Sequence, residues 1–331
     1  MNKLEVILLW IGFTVGFCLF IGCTESSGPT SSEMKNPTRE ESIPDSAVKV
    51  TPATDFWPPV TQSVEWDQPV PMEGPVNTAG VEDAPVINPE GNIFIFFFTP
   101  DGNLPAEEQL HDGVTGVWWC RKNGTEWSEP VRANLANEGE DHLDGPFAIQ
   151  GNTLWFGSIR AGNYGEIDIY TAELSGDKWI NWQNAGQQIN QDFDVGELYL
   201  TVDGLSLFFQ NNKNGYGQND LWLTTRNNLQ WTNPVNLGPP VNTSGDESRP
   251  FISSDGSELW FTRMVSTKGY QGPAIFRTTK TGNEWSEPEE IVSGYAGDPG
   301  LDDAGNIYFT HVFYDNSGNK IEADIYVAYR R

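Results

Sequence analysis

One unit recurs along most of this chain and limits what it can fold into: a tryptophan, usually followed three residues later by a proline. It stands at Trp66 with Pro69, Trp127 with Pro130, Trp231 with Pro234 and Trp285 with Pro288. A degenerate copy, Trp179 with Trp182, lacks the proline. The steps between successive tryptophans are 61, 52, 52 and 54 residues. A unit that returns at a near-constant spacing cannot bury its own apolar face and must stack on its neighbours. Apolar runs keep phase with the tryptophans. The first two of each repeat are split by a turn, as at 84–87 and 93–98, 147–149 and 154–156, 198–202 and 205–209, 251–252 and 259–261, and Leu301 and 307–309. A Gly-, Asn- and Tyr-rich loop follows, then a third run at 117–119, 167–170, 221–223, 274–276 and 325–327. Runs of three to six β-branched and aromatic residues bounded by Gly, Asn and Asp read as strands. Each repeat therefore holds four strands, A to D, with the tryptophan unit on D, where an outermost strand tolerates proline.

Four-stranded sheets repeated around an axis make a propeller. The expected fold is all-β: a five-bladed β-propeller of four-stranded antiparallel blades over residues 61–331. The folded part opens with a lone D-type unit at 66–69 and ends with a C-type run at 325–329. The N-terminal strand is thus expected to join the last blade and close the ring, removing an exposed sheet edge. An open solenoid would leave both orphan units unpaired. Composition agrees: Gly 34 and Pro 22 against only Met 4 suit short strands and tight turns.

The start of the chain reads as an export signal. Lys3 precedes an apolar run from Val6 to Ile21, too short for a relaxed membrane span. The ending Phe20-Ile21-Gly22-Cys23 resembles the lipobox of bacterial-type lipoproteins, with Phe20 in place of the usual Leu. That resemblance implies cleavage before Cys23 and lipidation of its thiol; an uncleaved anchor is the alternative. Either places the rest of the chain outside the cytoplasmic membrane. Residues 24–60, rich in Ser, Thr, Pro and Glu, are expected to be a disordered tether. Cys120 is then alone in the folded part and reads as a buried thiol.

The segments 158–170, 211–225 and 232–261 resemble the WD40-like PD40 repeats of the TolB-like propeller superfamily. That family's unit has an S-P-D-G turn, a G-G-Y-G loop, a D-I-Y strand and a W-S-E-P-V-N-L-G-P-P-I-N-T continuation. The resemblance implies a propeller in a cell-envelope protein. The extra α/β domain of TolB has no counterpart, so TolB's role does not transfer.

Chemistry is less legible. A formal net charge of −27 opposes contact with phosphate backbones, so no nucleic-acid partner is expected. Carboxylates fall just before the A strands: Glu82 and Asp83, Asp141 and Asp144, Asp194 and Glu197, Asp246 and Glu247, and Asp298. These should ring the mouth of a central channel, with Arg249 partly neutralising them. The ring would suit a cation, calcium at Glu82, Asp83, Asp144, Asp194 and Asp246 among the candidates, or a polyhydroxyl ligand. Plain turn-forming and solvated charge is the competing reading. The B–C loops on the same face carry Arg160, Asn163, Tyr164, Asn211, Tyr216, Arg263 and Tyr270. Aromatic faces and amides together suit sugars, although these residues also belong to the repeat signature. Asp168, Asp220 and Asp324 recur before strand C and read as scaffold.

The preferred function is non-catalytic recognition of an envelope or extracellular glycan, or of a protein, by a monomer anchored through its N-terminal lipid. A protein-interaction scaffold is one alternative. The other is glycoside hydrolysis by Asp83, Asp144 and Glu197, since five-bladed propellers include a hydrolase clan with carboxylates from the first three blades. The three His residues lack metal-spaced partners, and neither a G-x-S-x-G nor a P-loop is present.

Overall fold

Antiparallel meanders follow the repeat. In the computed structural model, which describes residues 37–227, 230–267 and 270–331, the strands fall into four sheets of six, four, five and nine strands. The signal segment, Cys23 and the first part of the expected tether lie outside the described residues. Each meander starts from an A strand: Val81–Ile87, His142–Gln150, Leu198–Leu200, Glu247–Ile252 or Ala296–Leu301. Each A strand pairs antiparallel with a B strand: Ile93–Thr99, Thr153–Arg160, Ser206–Asn211, Glu258–Thr267 or Ile307–Tyr314. The C strands are Gly116–Asn123, Asp168–Ser175, Asp220–Asn227, Tyr270–Thr281 and Lys320–Ala328. The nine-stranded sheet contains the first and last meanders, joined by a single parallel pair, Ala323 with Val81.

Two details differ from expectation. The A strands begin earlier, so Glu82, Asp83, Asp144 and Glu247 lie inside strands rather than in the loops before them. Backbone pairing does not depend on side-chain polarity, so the apolar run marked only the buried part of each strand. The D strand is also interrupted where its proline stands, whereas the copy without one, Lys178–Asn184, runs as a single strand. Glu126–Trp127 pairs with the end of its C strand, and Val131–Arg132 pairs further along, with Pro130 between the two. Glu284–Trp285 and Glu289–Ser293 repeat this around Pro288.

The D-strand tryptophans wedge between meanders. Trp179 meets Trp119 edge-on at 5.7 Å, Trp66 meets Trp260 at 5.5 Å and Trp285 meets Phe208 at 6.4 Å. Each contact joins one meander to the one before it, which gives the tryptophan period its physical cause. The A strands pack side by side in sequence, and Ala296–Leu301 packs on Val81–Ile87. Val70–Pro71 pairs antiparallel with Lys320–Ala328, and Trp66 bridges to Arg330.

The expected tether is corrected over 37–60. This segment lies against the sheets, with Arg39 and Val50 buried. A short helix, Arg39–Ser42, opens with a capping box between Thr38 and Glu41. Val60–Thr61 adds to the outer edge of the fourth meander. Low apolar content suggested disorder, but polar and charged contacts hold the segment, and composition does not register these. Among the described residues no helix is long and apolar enough to cross a membrane.

Candidate functional site

Three of the turns that precede A strands commit their polar residues to the scaffold. Asn77, Asn190 and Asn242 each bond both backbone groups of a C-strand residue: Ile325, Ile169 and Leu221. Thr78 and Thr243 then donate to Glu82 and Glu247, at 2.6 Å each. This explains the recurring Asn-Thr-x-Gly-x-Glu-like spacing. Asp168 and Asp220 act similarly in the B–C loops. Asp168 accepts from the Tyr164 and Gly165 amides, and Asp220 from those of Tyr216 and Gly217. Gly217 is required by close approach: a Cβ there would collide with the carbonyl oxygen of Gly245.

Most loop residues expected to bind ligand are committed to this scaffold. Arg160 donates to Asp144 (2.8 Å) and to the Leu135 carbonyl oxygen (3.0 Å). Asn163 donates to the Ser158 carbonyl oxygen (2.7 Å) and accepts from the Tyr170 hydroxyl (2.9 Å). Asn211 donates to the carbonyl oxygens of Phe193 and Asp194. Arg263 donates to Glu247 (2.9 Å) and to the Val241 carbonyl oxygen (2.8 Å). The Tyr270 hydroxyl donates to the Pro273 carbonyl oxygen and accepts from the Tyr295 amide. Tyr164 and Tyr216 remain at the surface, 52% and 59% exposed.

The acidic ring likewise does not gather around one ion. Glu82 pairs with Arg39, Asp144 with Arg160 and His142, Asp194 with Lys213, and Asp246 accepts from Asn219. Among the described residues no group of three or more His, Cys, Asp or Glu is arranged to hold a metal. The calcium expectation therefore finds no cage: cationic side chains and amides already occupy these carboxylates.

One cluster differs. Asp83, Arg249 and Asp298, on three A strands, and Glu197, just before a fourth, line a pocket of about 630 Å³, counting its open mouth. Asp144 does not line it. The walls include Phe97, Phe147, Tyr199 and Phe251, together with Pro85, Pro146, Pro250 and Pro299. Pro85, Pro250 and Pro299 share one cause, whereas Pro146 is paired with Phe156 and only precedes a bulge at Phe147. The A–B register slips between Asp83 and Val86, Pro146 and Ala148, Ser248 and Phe251, and Gly297 and Gly300. A bulge leaves a residue without a ladder partner, and there proline's missing donor costs nothing. Ala84, Arg249 and Asp298 sit at these bulges with φ of 50°, 55° and 58°. Left-handed backbone at a non-glycine residue costs on the order of 1–2 kcal/mol, and strain of this kind clusters where side chains must be aimed. Here it aims Arg249 and Asp298 inward.

Arg249 is the electrostatic centre. Its guanidinium pairs with Glu197 at 3.1 Å and with Asp298. Asp83 accepts from the Thr310 hydroxyl and the Ala84 amide, both at 2.8 Å. Burial raises Asp298 well above the usual carboxylate range despite Arg249, with Asp83 and Glu197 adding to the rise. Burial also opposes the charge on Asp83, but Arg249, a hydrogen bond from Asp298 and Lys320 outweigh it and hold Asp83 low. Of this tightly coupled pair, Asp298 therefore holds a proton more readily than Asp83. Burial pushes Glu197 up to about 7 against the pull of Arg249, with Asp83 and Asp246 reinforcing the push. Glu197 Oε2 has no hydrogen-bond partner among the described residues. The pocket therefore offers a carboxyl group raised above its usual range, one held low, a cation and, among the described residues, a carboxyl oxygen without a donor, between aromatic walls.

No family model and no curated protein matches the chain, so the PD40 likeness remains a resemblance. Solved structures similar to it include a thermostable family-43 glycoside hydrolase, 12% identical, covering 77% of this chain and 90% of that one, with a TM-score of 0.46. The catalytic domain of a GH62 α-L-arabinofuranosidase from Coprinopsis cinerea is 12% identical over 82% of this chain and 98% of that one, with a TM-score of 0.46. A protein assigned as TolB from Agrobacterium tumefaciens is 16% identical over 77% and 92%, with a TM-score of 0.39. None of these likenesses bears on the chemistry of the pocket.

Proposed function

We propose that the chain is a binding module: a five-bladed, ring-closed β-propeller that takes a unit of a glycan into its central pocket without cleaving it. The serial packing of the A strands, with the last on the first, supports the ring, as does the pairing of Val70–Pro71 with Lys320–Ala328. The observation that carries the ligand class is the pocket lining. Flat apolar walls suit the C–H faces of a sugar, and the Asp83, Glu197, Arg249 and Asp298 group offers both donors and acceptors to hydroxyls. The site moves inward from the loops, because the loop residues are committed to the scaffold. Anchoring through a lipidated Cys23 and an extracytoplasmic location remain part of the proposal.

Hydrolysis by Asp83, Asp144 and Glu197 is disfavoured by the separation of Asp144 from the pocket and its burial against Arg160 and His142. A glycan array probed with the wild type, Glu197→Gln and Phe147→Ala tests the proposal. We expect a restricted set of wild-type ligands, weakened at least tenfold in both variants. Unchanged binding in the variants would remove the pocket, and an array silent to the wild type would remove the glycan. Release of product from chromogenic glycosides by the wild type, abolished in Glu197→Gln, would instead restore the hydrolase reading.

A further inference from the structure

Two blades hold a buried acid and its arginine within one hairpin. Asp144 meets Arg160, whose guanidinium carbon lies 4.5 Å from the Tyr170 ring centre and 5.7 Å from that of Phe156. Glu247 stands across the ladder from Arg263, which lies 4.7 Å from Phe276 and 5.2 Å from Phe261. The first blade has the acid, Glu82, but Phe98 stands across the ladder from it. The missing guanidinium arrives from Arg39, in the segment that precedes the strands.

Arg39 is 2% exposed. Its Nη1 donates to Glu82 Oε1 at 3.2 Å and to the Val76 carbonyl oxygen at 2.7 Å, and its Nη2 donates to the Pro75 carbonyl oxygen at 2.5 Å. The guanidinium carbon lies 5.3 Å from the ring centres of both Phe96 and Phe98, and 5.6 Å from Trp118. A carboxyl group, two carbonyl oxygens and three aromatic rings form a socket matched to a planar cation with several donors. The rest of the segment is held on the last blade. Lys49 pairs with Glu322 and Asp324, the Val50 amide donates to Glu322, and Asp55 meets His311 at 2.9 Å.

We infer that the first blade carries a guanidinium receptor, occupied in cis by Arg39, and that segment 37–60 is an intramolecular ligand docked through it. The receptor's ligand class is an arginine side chain or another alkylguanidinium. This goes beyond the glycan reading and does not depend on it, since the receptor shares no residue with the pocket.

Chemical rescue of the full-length chain tests it. Arg39→Ala vacates the socket and is expected to lower Tm by several degrees. Millimolar methylguanidinium should restore part of that loss with a saturable dose dependence. Methylammonium should not, and neither should raise the Tm of the wild type. Absence of a methylguanidinium-specific gain in the variant would overturn the inference. Arg39→Lys covers the case in which the alanine variant does not fold. It keeps the charge but cannot supply the planar fork, so limited proteolysis should cut residues 37–60 several-fold faster than in the wild type. Equal cutting rates would also overturn the inference.

Discussion

The loop crown and the pocket floor are built from the same residue types, arginine, carboxylates and aromatic rings, yet they end in opposite states. In the crown, Arg160 and Arg263 each face one acid and a backbone carbonyl, and each lies over two rings, so their hydrogen bonds are made within one blade and the turn that leads into it. On the floor, Arg249 is shared among acids from several blades, and Glu197 Oε2 has no donor among the described residues. The difference lies in the backbone. Bulges before Pro85, Pro250 and Pro299 turn A-strand residues toward the axis, whereas the crown residues sit on regular strands or closed turns. Polar residue type alone therefore does not mark a ligand site; what its neighbours already satisfy does.

The largest effect expected is that of Arg249→Ala. Removing one partner of a buried ion pair typically costs ~3–5 kcal/mol, and here three acids lose their shared cation. Urea denaturation measures the loss; a change below about 1 kcal/mol would break the contrast drawn above. Arg160→Ala should cost less, about 2–3 kcal/mol, since this lies below the full buried-pair penalty and Asp144 keeps His142 at 2.6 Å. A larger loss than in Arg249→Ala would invert the comparison.

The pH dependence comes next and cuts across both regions. Burial, with neighbouring acids, pushes Glu82, Glu197 and Glu322 up to about 7. A carboxyl raised in the folded state keeps its proton where the unfolded chain has lost it. Stability from these groups is present below the ordinary value of 4.5 and falls as pH rises from there to about 7. Asp83 and Asp144 are held low against the effect of burial, Asp83 chiefly by Arg249 and Asp144 by His142 and Arg160. Their contribution is present above the ordinary 3.8 and lost as pH falls below it. Thermal melts from pH 3 to 8 should thus peak in mildly acidic buffer, and Glu197→Gln should flatten the alkaline side. A Tm rising steadily from pH 5 to 8 would contradict the assignment. Tyr164→Ala and Tyr216→Ala should change least, within about 0.5 kcal/mol. They should also leave the array profile unaltered. A lost glycan signal in either would return the site to the crown.

The Trp period, the apolar alternation and the turn residues made the meanders legible, because strand pairing and inter-sheet wedging depend on local pattern. The D–A turns were also readable as repeats, although the clamp made by Asn77 and Asn242 exists only in the folded chain. Asp83, Glu197, Arg249 and Asp298 could be named from their places at the expected D–A loops and the starts of the A strands. That they meet in one pocket while Asp144 does not required the bulges, whose trace in sequence was a proline at Pro85, Pro146, Pro250 and Pro299. Arg39 was not legible at all. Its 43-residue separation from Glu82 carries no periodic signal, and its flanking composition suggested disorder. Patterns that repeat along the chain thus determined the sheets. Contacts between distant segments, which depend on where the bulged strands converge and where the N-terminal segment lands, were decided only by the tertiary structure.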